Sequence, residues 1–365
     1  MKATDPNRIA LFIPTLEVGG TERIFLNLAD GFQKAGYQVD LLLKKEIGAF
    51  TQFIPAGIRV IDLNAPRMLW TLAGLVRYLR ASRPKALLAG LDLPNLLAVM
   101  AKKLAFCPTR VVVSIRSVVS RQGKVALYPR WLDRIFMRAV YSQADVIVAV
   151  SKAVACDFAA FTRMPLDRIQ VIYNPAIRLD LGKKSHQKFE HPWFGPGQLP
   201  VILSVGRLEP VKDFFNLVRA FAIVHARTRV RLVILGEGKD RSKLEKLVRK
   251  LGLEEDVWLA GFHTNPYALM RQATVFVLSS RHDASPNVLV EAMACGCPVV
   301  CTDSVGGSRE IINSGQFGHL VPVDDPLAMA EAILAVLEGD VRRPTEDWLS
   351  QFVQKNVIEK YLALF

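Results

Sequence analysis

The chain has little of what marks secreted, membrane-spanning or metal-clamped proteins. Five cysteines in 365 residues are an odd number for a disulfide framework. Cys295, Cys297 and Cys301 are close together but lack zinc-site spacing, and read as small buried residues of a reduced protein. No apolar stretch approaches the roughly 20 residues that cross a bilayer. The longest, residues 86–101, is broken by Asp92, Pro94 and Asn95. Residues 1–7 are polar, so no export leader is expected. There is no Asp-x-Asp pair, no low-complexity tract and no histidine before His186.

What is present is globular. Hydrophobic residues make up 51% and charged residues 22%, enough apolar surface for a core and length for two domains. The net charge is +13. Nine basic residues lie between Lys102 and Arg138 (Lys102, Lys103, Arg110, Arg116, Arg121, Lys124, Arg130, Arg134 and Arg138), against one acid, Asp133. Phe106, Leu127, Trp131 and Phe136 are interleaved with them. Bases mixed with exposed aromatics suit an anionic membrane surface. A solvated helix face with inward aromatics, or a nucleic-acid surface, would share the pattern. At 8% aromatic residues and with no recognition motif, a nucleic-acid partner is not expected. If a membrane is the partner, neutralising Lys102, Lys103, Arg121 and Lys124 should abolish vesicle binding.

Strand and helix patterns alternate twice. Strands are expected at 9–13, 38–43, 59–63, 86–88, 111–115, 146–150 and 169–172, with helices including 21–35, 69–80 and 96–104. Thr21 is the expected cap of the first helix. Residues 179–200 are polar, with Lys183, Lys184, His186, Lys188, Gly195, Pro196 and Gly197, and read as a linker. The alternation then restarts, with strands at 201–205, 231–235, 257–260, 275–278 and 299–302. Helices are expected at 214–227, 241–251, 266–272 and 326–338. This is α/β, with two doubly wound Rossmann-like domains facing a cleft. The expected boundaries are 1–178 for a first domain, 179–199 for the linker and 200–345 for a second. A single C-terminal helix, 346–365, is expected to return to the first domain.

The most informative stretch is 279–300. It reads as strand, polar loop, short helix, glycine stop and strand. Asp283 and Glu291 are eight apart. Between them Ser285 would cap a helix with Pro286 in its first turn. The N–H groups of Asn287 and Val288 would then face an anion, because a helix N-terminus carries partial positive charge. Asn287 and Glu291 share a helix face. A phosphate cradle with a carboxylate one turn on, able to accept sugar or ribose hydroxyls, suits a nucleotide-sugar. After the strand at 201–205 come Arg207 and Lys212, fixed cations able to stabilise a departing diphosphate. Gly236 and Gly238 close the next strand as a tight turn with exposed N–H groups, and Phe262 follows the one after. In the first half Gly19 and Gly20 let the backbone approach a ligand. Glu22, Asp92 and Arg116 are polar residues just past strand ends. His282, beside Asp283, is a weaker candidate.

These motifs resemble those of glycosyltransferase family 4, retaining GT-B enzymes that need no metal. That family's signature has Glu-Gly-x-Pro, a second Glu eight residues after the first, then Ala-Met-Ala-x-Gly-x-Pro-Val-Val. Pro286, Asn287, Glu291, Ala292, Met293, Ala294, Gly296, Pro298, Val299 and Val300 fit it. Asp283 replaces the first Glu and Ala284 the Gly. The Gly19-Gly20-Thr21-Glu22 and Gly206-Arg207-Leu208…Lys212 segments resemble the family's other motifs, in the family's order. The resemblance implies transfer of a sugar from a UDP- or GDP-sugar with retention, by front-face attack, and no cofactor or metal. It implies that Arg207 and Lys212 hold the diphosphate and that Asp283 holds the sugar. Glu291 would hold the ribose, Gly236 and Gly238 border the nucleotide, and Phe262 lie near the base. Gly19, Gly20, Glu22 and Arg116 would meet donor phosphates or acceptor. The histidine that many members carry near the reacting carbon is missing, and Asp92 is its nearest polar substitute. The expected acceptor is a lipid-linked or surface glycan, met by a peripheral enzyme on the inner face of the cytoplasmic membrane. The alternative is a nucleotide-sugar epimerase or other nucleotide-sugar-processing enzyme on the same scaffold, with Asp283 and Glu291 as an epimerase's only candidate acids.

Overall fold

The structure is a computed structural model that describes residues 4–17, 19–121 and 130–365. Of the residues singled out above, Lys124 and Leu127 fall outside these, as do the side chains of Arg121, Arg130 and Trp131. The chain divides into two compact units, 1–175 with 352–365, and 176–351.

The first unit is a seven-stranded sheet. Its strands are β1 (Asp5–Ile13), β2 (Gln38–Leu43), β3 (Arg59–Asp62), β4 (Pro84–Gly90), β5 (Arg110–Ile115), β6 (Val146–Ala149) and β7 (Ile169–Val171). Their order is β3-β2-β1-β4-β5-β6-β7, with every pairing parallel. Near-continuous apolar runs such as Ile9 to Ile13, all fully buried, are what a sheet covered on both faces demands. The covering helices are α1 (Gly20–Lys34), α2 (Thr71–Ser82), α3 (Asp92–Ala105), α4 (Arg130–Tyr141) and α5 (Lys152–Thr162). The chain steps from β1 outward to β3, then crosses back to β4 on the other side of β1. The switch point therefore lies at the carboxyl ends of β1 and β4.

The second unit has a six-stranded sheet. It comprises β8 (Val201–Val205), β9 (Arg231–Leu235), β10 (Val257–Gly261), β11 (Val275–Leu278), β13 (Val299–Thr302) and β15 (His319–Val321), with the two-residue strands β12 (His282–Asp283) and β14 (Val305–Gly306) paired apart from it. The order β10-β9-β8-β11-β13-β15 puts its switch point between β8 and β11. The helices are α6 (Leu181–Ser185), α7 (Phe214–His225), α8 (Arg241–Lys250), α9 (Tyr267–Gln272), α10 (Asn287–Ala294), α11 (Ser308–Ile311), α12 (Pro326–Leu337) and α13 (Glu346–Ser350). The core is continuous from Ile202 and Phe221 to Met329 and Ile333.

Three expectations about the chain's organisation change. The tail is two helices, not one. Residues 346–350 form α13 in the second unit, and α14 (Gln354–Leu362) belongs to the first. There Gln354 Nε2 donates to Asn27 O (2.6 Å) and Asp30 Oδ2 (3.0 Å) of α1, while Val357, Ile358 and Tyr361 are buried. The segment read as a polar linker belongs to the second unit. Its aromatics form a layer over the edge strand β10, with the His191 ring stacked 4.1 Å from Trp258 and Trp193 packed on Arg231. An exposed edge strand is a liability that such a cover removes. Thr21 does not cap α1; the N-cap is Gly19, in extended conformation and with no side-chain hydrogen bond.

Candidate active site

In the second unit the singled-out residues follow four adjacent strands. Phe262 follows β10, Gly236 and Gly238 follow β9, Arg207 and Lys212 follow β8, and Asp283 and Glu291 follow β11. The β8 and β11 loops flank the switch point, where open α/β sheets bind ligands.

Those two loops are tied together. Ser279 Oγ donates to Lys212 O (2.7 Å) and Arg281 N to Val211 O (2.8 Å). The Arg281 guanidinium lies 3.0 Å from Asp213 Oδ2 and also pairs with Asp324. Asp213 is in the left-handed region (φ 47°) and caps α7 through Asn216 N (3.3 Å). Burial, together with neighbouring Asp324, pushes the Asp213 carboxyl above its ordinary range, and Arg281 opposes this. Held on both sides, Lys212 places its Nζ 2.5 Å from Asp283 Oδ2. Both side chains are largely enclosed, at 21% and 16% exposure, so the pair is well shielded from water. Arg207 is different: its guanidinium is half exposed and meets Glu209 Oε1 at 3.2 Å.

Asp283 is fixed by a residue that sequence reasoning passed over. Gly306 has φ 134°, and a Cβ there would sit 1.8 Å from Asp283 O. Gly307 N donates to that same oxygen (2.9 Å). The Gly306-Gly307 pair after a buried strand was the available signal. Gly236 has a similar duty. Its Cβ would lie 1.9 Å from Gly206 O, and one on Gly238 would lie 2.4 Å from Leu208 O. These glycines let the β9 loop press on the loop that carries Arg207. The expectation of an exposed N–H at Gly236 is corrected, because that N–H donates to Gly261 O (2.7 Å). Phe262 is exposed.

The N-cap of α10 is Pro286, without a side-chain cap. The expected Ser285 cap is therefore absent: the helix starts one residue later, and Ser285 lies half-buried in the loop. Asn287 and Val288 form the first turn. Glu291, one turn on, is 2% exposed and accepts from Tyr267 Oη at 3.3 Å. Burial pushes the nearby Cys295 thiol up to about 12, and the Glu291 carboxylate adds to this. Cys295, Cys297 and Cys301 are all free and buried. His282 is exposed beside Asp283.

In the first unit, Gly19, Gly20 and Glu22 follow β1, Asp92 follows β4 and Arg116 follows β5, again adjacent strands around a switch point. The Glu22 carboxylate folds back over Gly19, where a Cβ would meet its Oε2 at 2.2 Å. Arg116 donates to Asn174 Oδ1 (2.6 Å) and Ser114 Oγ (3.3 Å), with its guanidinium 5.5 Å from the Phe25 ring centre. Burial lowers its pKa, while Glu22 and Tyr361 favour the charged form. Asp92 opens α3 just after Leu91, whose φ of 77° is rare for a branched side chain. Asn95 accepts from Ser114 N (3.3 Å) and donates to Ser114 O (2.9 Å), so the start of α3 is fastened to the end of β5. Burial and nearby Asp92 hold the Tyr141 hydroxyl protonated.

Comparisons with known proteins agree with this geometry. The family model described as Glycosyltransferase Family 4 matches residues 18–176, and that described as Glycosyl transferases group 1 matches residues 186–351. The N-acetylgalactosamine-N,N'-diacetylbacillosaminyl-diphospho-undecaprenol 4-alpha-N-acetylgalactosaminyltransferase of Campylobacter jejuni is 29% identical over 345 residues, 92% of each chain. Among solved structures, the lipopolysaccharide outer core galactosyltransferase WaaB superposes with a TM-score of 0.74 at 18% identity, covering 98% of both chains. HepE from Anabaena, in complex with UDP, gives 0.72 at 20% identity, covering 98% of this chain and 95% of its own. At such identities the two structures speak for the fold alone. Two parallel doubly wound sheets with loops of this kind at their switch points, matched along nearly their whole length, make the chain a GT-B glycosyltransferase of family 4.

Proposed function

We propose that this protein moves a sugar from a nucleotide-sugar, a UDP-sugar foremost, onto a lipid-linked or surface-glycan acceptor, with retention of configuration and without a metal. The Lys212–Asp283 contact carries the reading. It sets a fixed cation against a carboxylate three residues before a helix N-terminus that has no side-chain cap. A departing nucleoside diphosphate gains negative charge, and Arg207, Lys212 and the first-turn N–H groups of Asn287 and Val288 would stabilise it as it forms. Asp283 would release Lys212 to the diphosphate and turn to a sugar hydroxyl. Glu291 would take the ribose hydroxyls, with Tyr267 orienting it. Gly238 and Phe262 would border the nucleoside. In the first unit Glu22 and Arg116 would meet the acceptor, and Asp92 would stand in for the histidine that the chain lacks there. The leaving phosphate would help deprotonate the attacking hydroxyl.

The UDP preference is supported by the UDP bound to the structurally similar HepE. The lipid-linked acceptor is supported by the diphospho-undecaprenol in the name of the Campylobacter relative. The excess of bases supports a peripheral location on the inner face of the cytoplasmic membrane. No helix among the described residues is long and apolar enough to cross a membrane. The test is transfer from a panel of UDP-sugars onto an undecaprenyl-diphosphate-linked sugar, with the product weighed by mass spectrometry and its anomer read by NMR. An added hexose in the donor's configuration supports the reading; an inverted linkage sinks the retaining mechanism.

A further inference from the structure

Helix α2 has one apolar face too many. Its inner face, Thr71, Leu75, Tyr78 and Leu79, is buried, and the Tyr78 hydroxyl donates to buried Asp40 at 2.7 Å. A second stripe at helical spacing, Leu69, Leu72, Ala73 and Val76, points elsewhere. Of these, Leu72, Ala73 and Val76 line an open groove of about 740 Å³ together with Ala81 and with Leu104 from the end of α3. Arg77 and Arg80 stand at its rim, and Arg80 bridges to Leu104 O at 2.7 Å. Around it the largest side chains are the least covered: Leu69 is 64% exposed, Trp70 69%, Leu104 48% and Phe106 81%. Phe106 ends α3 in the left-handed region (φ 50°), where an exposed aromatic gains nothing from the fold.

The charge around this face is of one sign. Residues 64–91 contain Arg67, Arg77, Arg80, Arg83 and Lys85 and no acid. Lys103, in the last turn of α3, is exposed, whereas Lys102 is already paired with Asp145 (2.6 Å). A second copy seated on the same face would set these cations against themselves. Nucleic acid would match the charge but leave the aliphatic stripe unsatisfied. An anionic lipid surface satisfies both: headgroups meet the arginines, while Trp70, Phe106 and the stripe enter the acyl boundary.

We infer that the groove of α2 and the end of α3, with Trp70 and Phe106 as anchors and Arg67 and Arg77 as headgroup contacts, is the surface by which this protein docks on an anionic bilayer. The inference rests on the peripheral location proposed above. It places the contact on α2 and the end of α3 rather than on α4, where exposed Ile135 and Phe136 offer a rival.

The experiment is co-sedimentation of the whole protein with phosphatidylcholine vesicles, alone or mixed with phosphatidylglycerol. The variants are Trp70→Ser/Phe106→Ser, Arg67→Gln/Arg77→Gln and, on the rival face, Ile135→Ser/Phe136→Ser. The wild type should bind only the anionic vesicles. The aromatic pair should lose about tenfold or more and the arginine pair about fivefold per charge, while the α4 pair stays near wild type. Nucleotide-sugar hydrolysis, measured without vesicles, should be unchanged in all, which separates lost docking from lost folding. Wild-type binding that survives both α2-face pairs, or falls only with the α4 pair, overturns this inference and leaves a peripheral location standing. A wild-type dimer that the aromatic pair dissolves likewise overturns only this inference, whereas no binding by the wild type overturns both.

Discussion

Lys212 Nζ lies 2.5 Å from Asp283 Oδ2, joining the loop after β8 to the loop after β11 across the switch point of the second sheet. Neither residue is held by its own loop alone. Ser279 fixes the Lys212 carbonyl, and Gly306 and Gly307 fix that of Asp283. With both backbones fixed, only the Lys212–Asp283 ion pair need part for the cation to meet a departing diphosphate. Lys212→Ala should therefore cost about 10²–10³ in the rate of donor hydrolysis with little change in melting temperature. Arg207, half exposed and weakly held, should matter less when changed to Lys, by about tenfold. Steady-state kinetics on both variants check the ranking.

Gly306→Ala should harm function through Asp283. The new methyl would overlap Asp283 O, and φ 134° suits no residue with a Cβ. A loss of about 2–3 kcal/mol in urea unfolding is expected, with the remaining folded protein turning over donor far more slowly. Folded, fully active Gly306→Ala would mean that the Asp283 loop is not under this constraint.

Asp213 joins stability to the site. Asp213→Ala removes the cap of α7 and the partner of Arg281 while keeping a Cβ at φ 47°. It should destabilise by about 1–2 kcal/mol. Asp213→Gly should cost less, because glycine is at ease there. Chemical denaturation of the two variants side by side checks the order.

Asp180 gives a pH signature remote from the chemistry. Burial raises its pKa, but bonds from Arg178 and Lys184 outweigh this and hold it at about 2, below the ordinary 3.8. A depressed carboxylate contributes stability above its unfolded pKa and loses it as pH falls through the folded one. The window is thus about pH 4 down to 2. The side chain is 35% exposed, so its worth after solvent screening is under about 1 kcal/mol. Asp180→Asn should melt slightly lower than wild type at pH 6, and the gap should close near pH 2.

Much of this was legible in the sequence. The apolar runs at 9–13, 201–205, 231–235 and 275–278 are too hydrophobic for a one-sided strand, and each lies in the buried parallel sheet foreseen for it. The motif residues fell at strand ends because a loop needing Arg, Gly or Asp must interrupt such a run. What was not legible depends on contacts distant in sequence. Arg281 reaches Asp213 and Asp324, and Tyr267 reaches Glu291, over separations no local pattern records. The caps were off by one or two residues because Thr21 and Ser285 are good caps by type, whereas the helix starts were set by the glycine and proline beside them. The strand β15 is only three residues long, and the aromatics at 189–194 declare their purpose only when β10 lies beneath them.

The central claim is that the second unit binds a nucleotide-sugar and cleaves it with the protein's own cations. The most direct measurement incubates the purified protein, with chelator present, against UDP-, GDP- and ADP-sugars and follows nucleoside diphosphate release, with Lys212→Ala and Glu291→Gln alongside. The account predicts slow release from a UDP-sugar, lost in both variants, and a thermal shift with UDP that Glu291→Gln abolishes. Silence across the whole panel with no thermal shift from any nucleotide, or release that appears only when a divalent metal is restored, would contradict it.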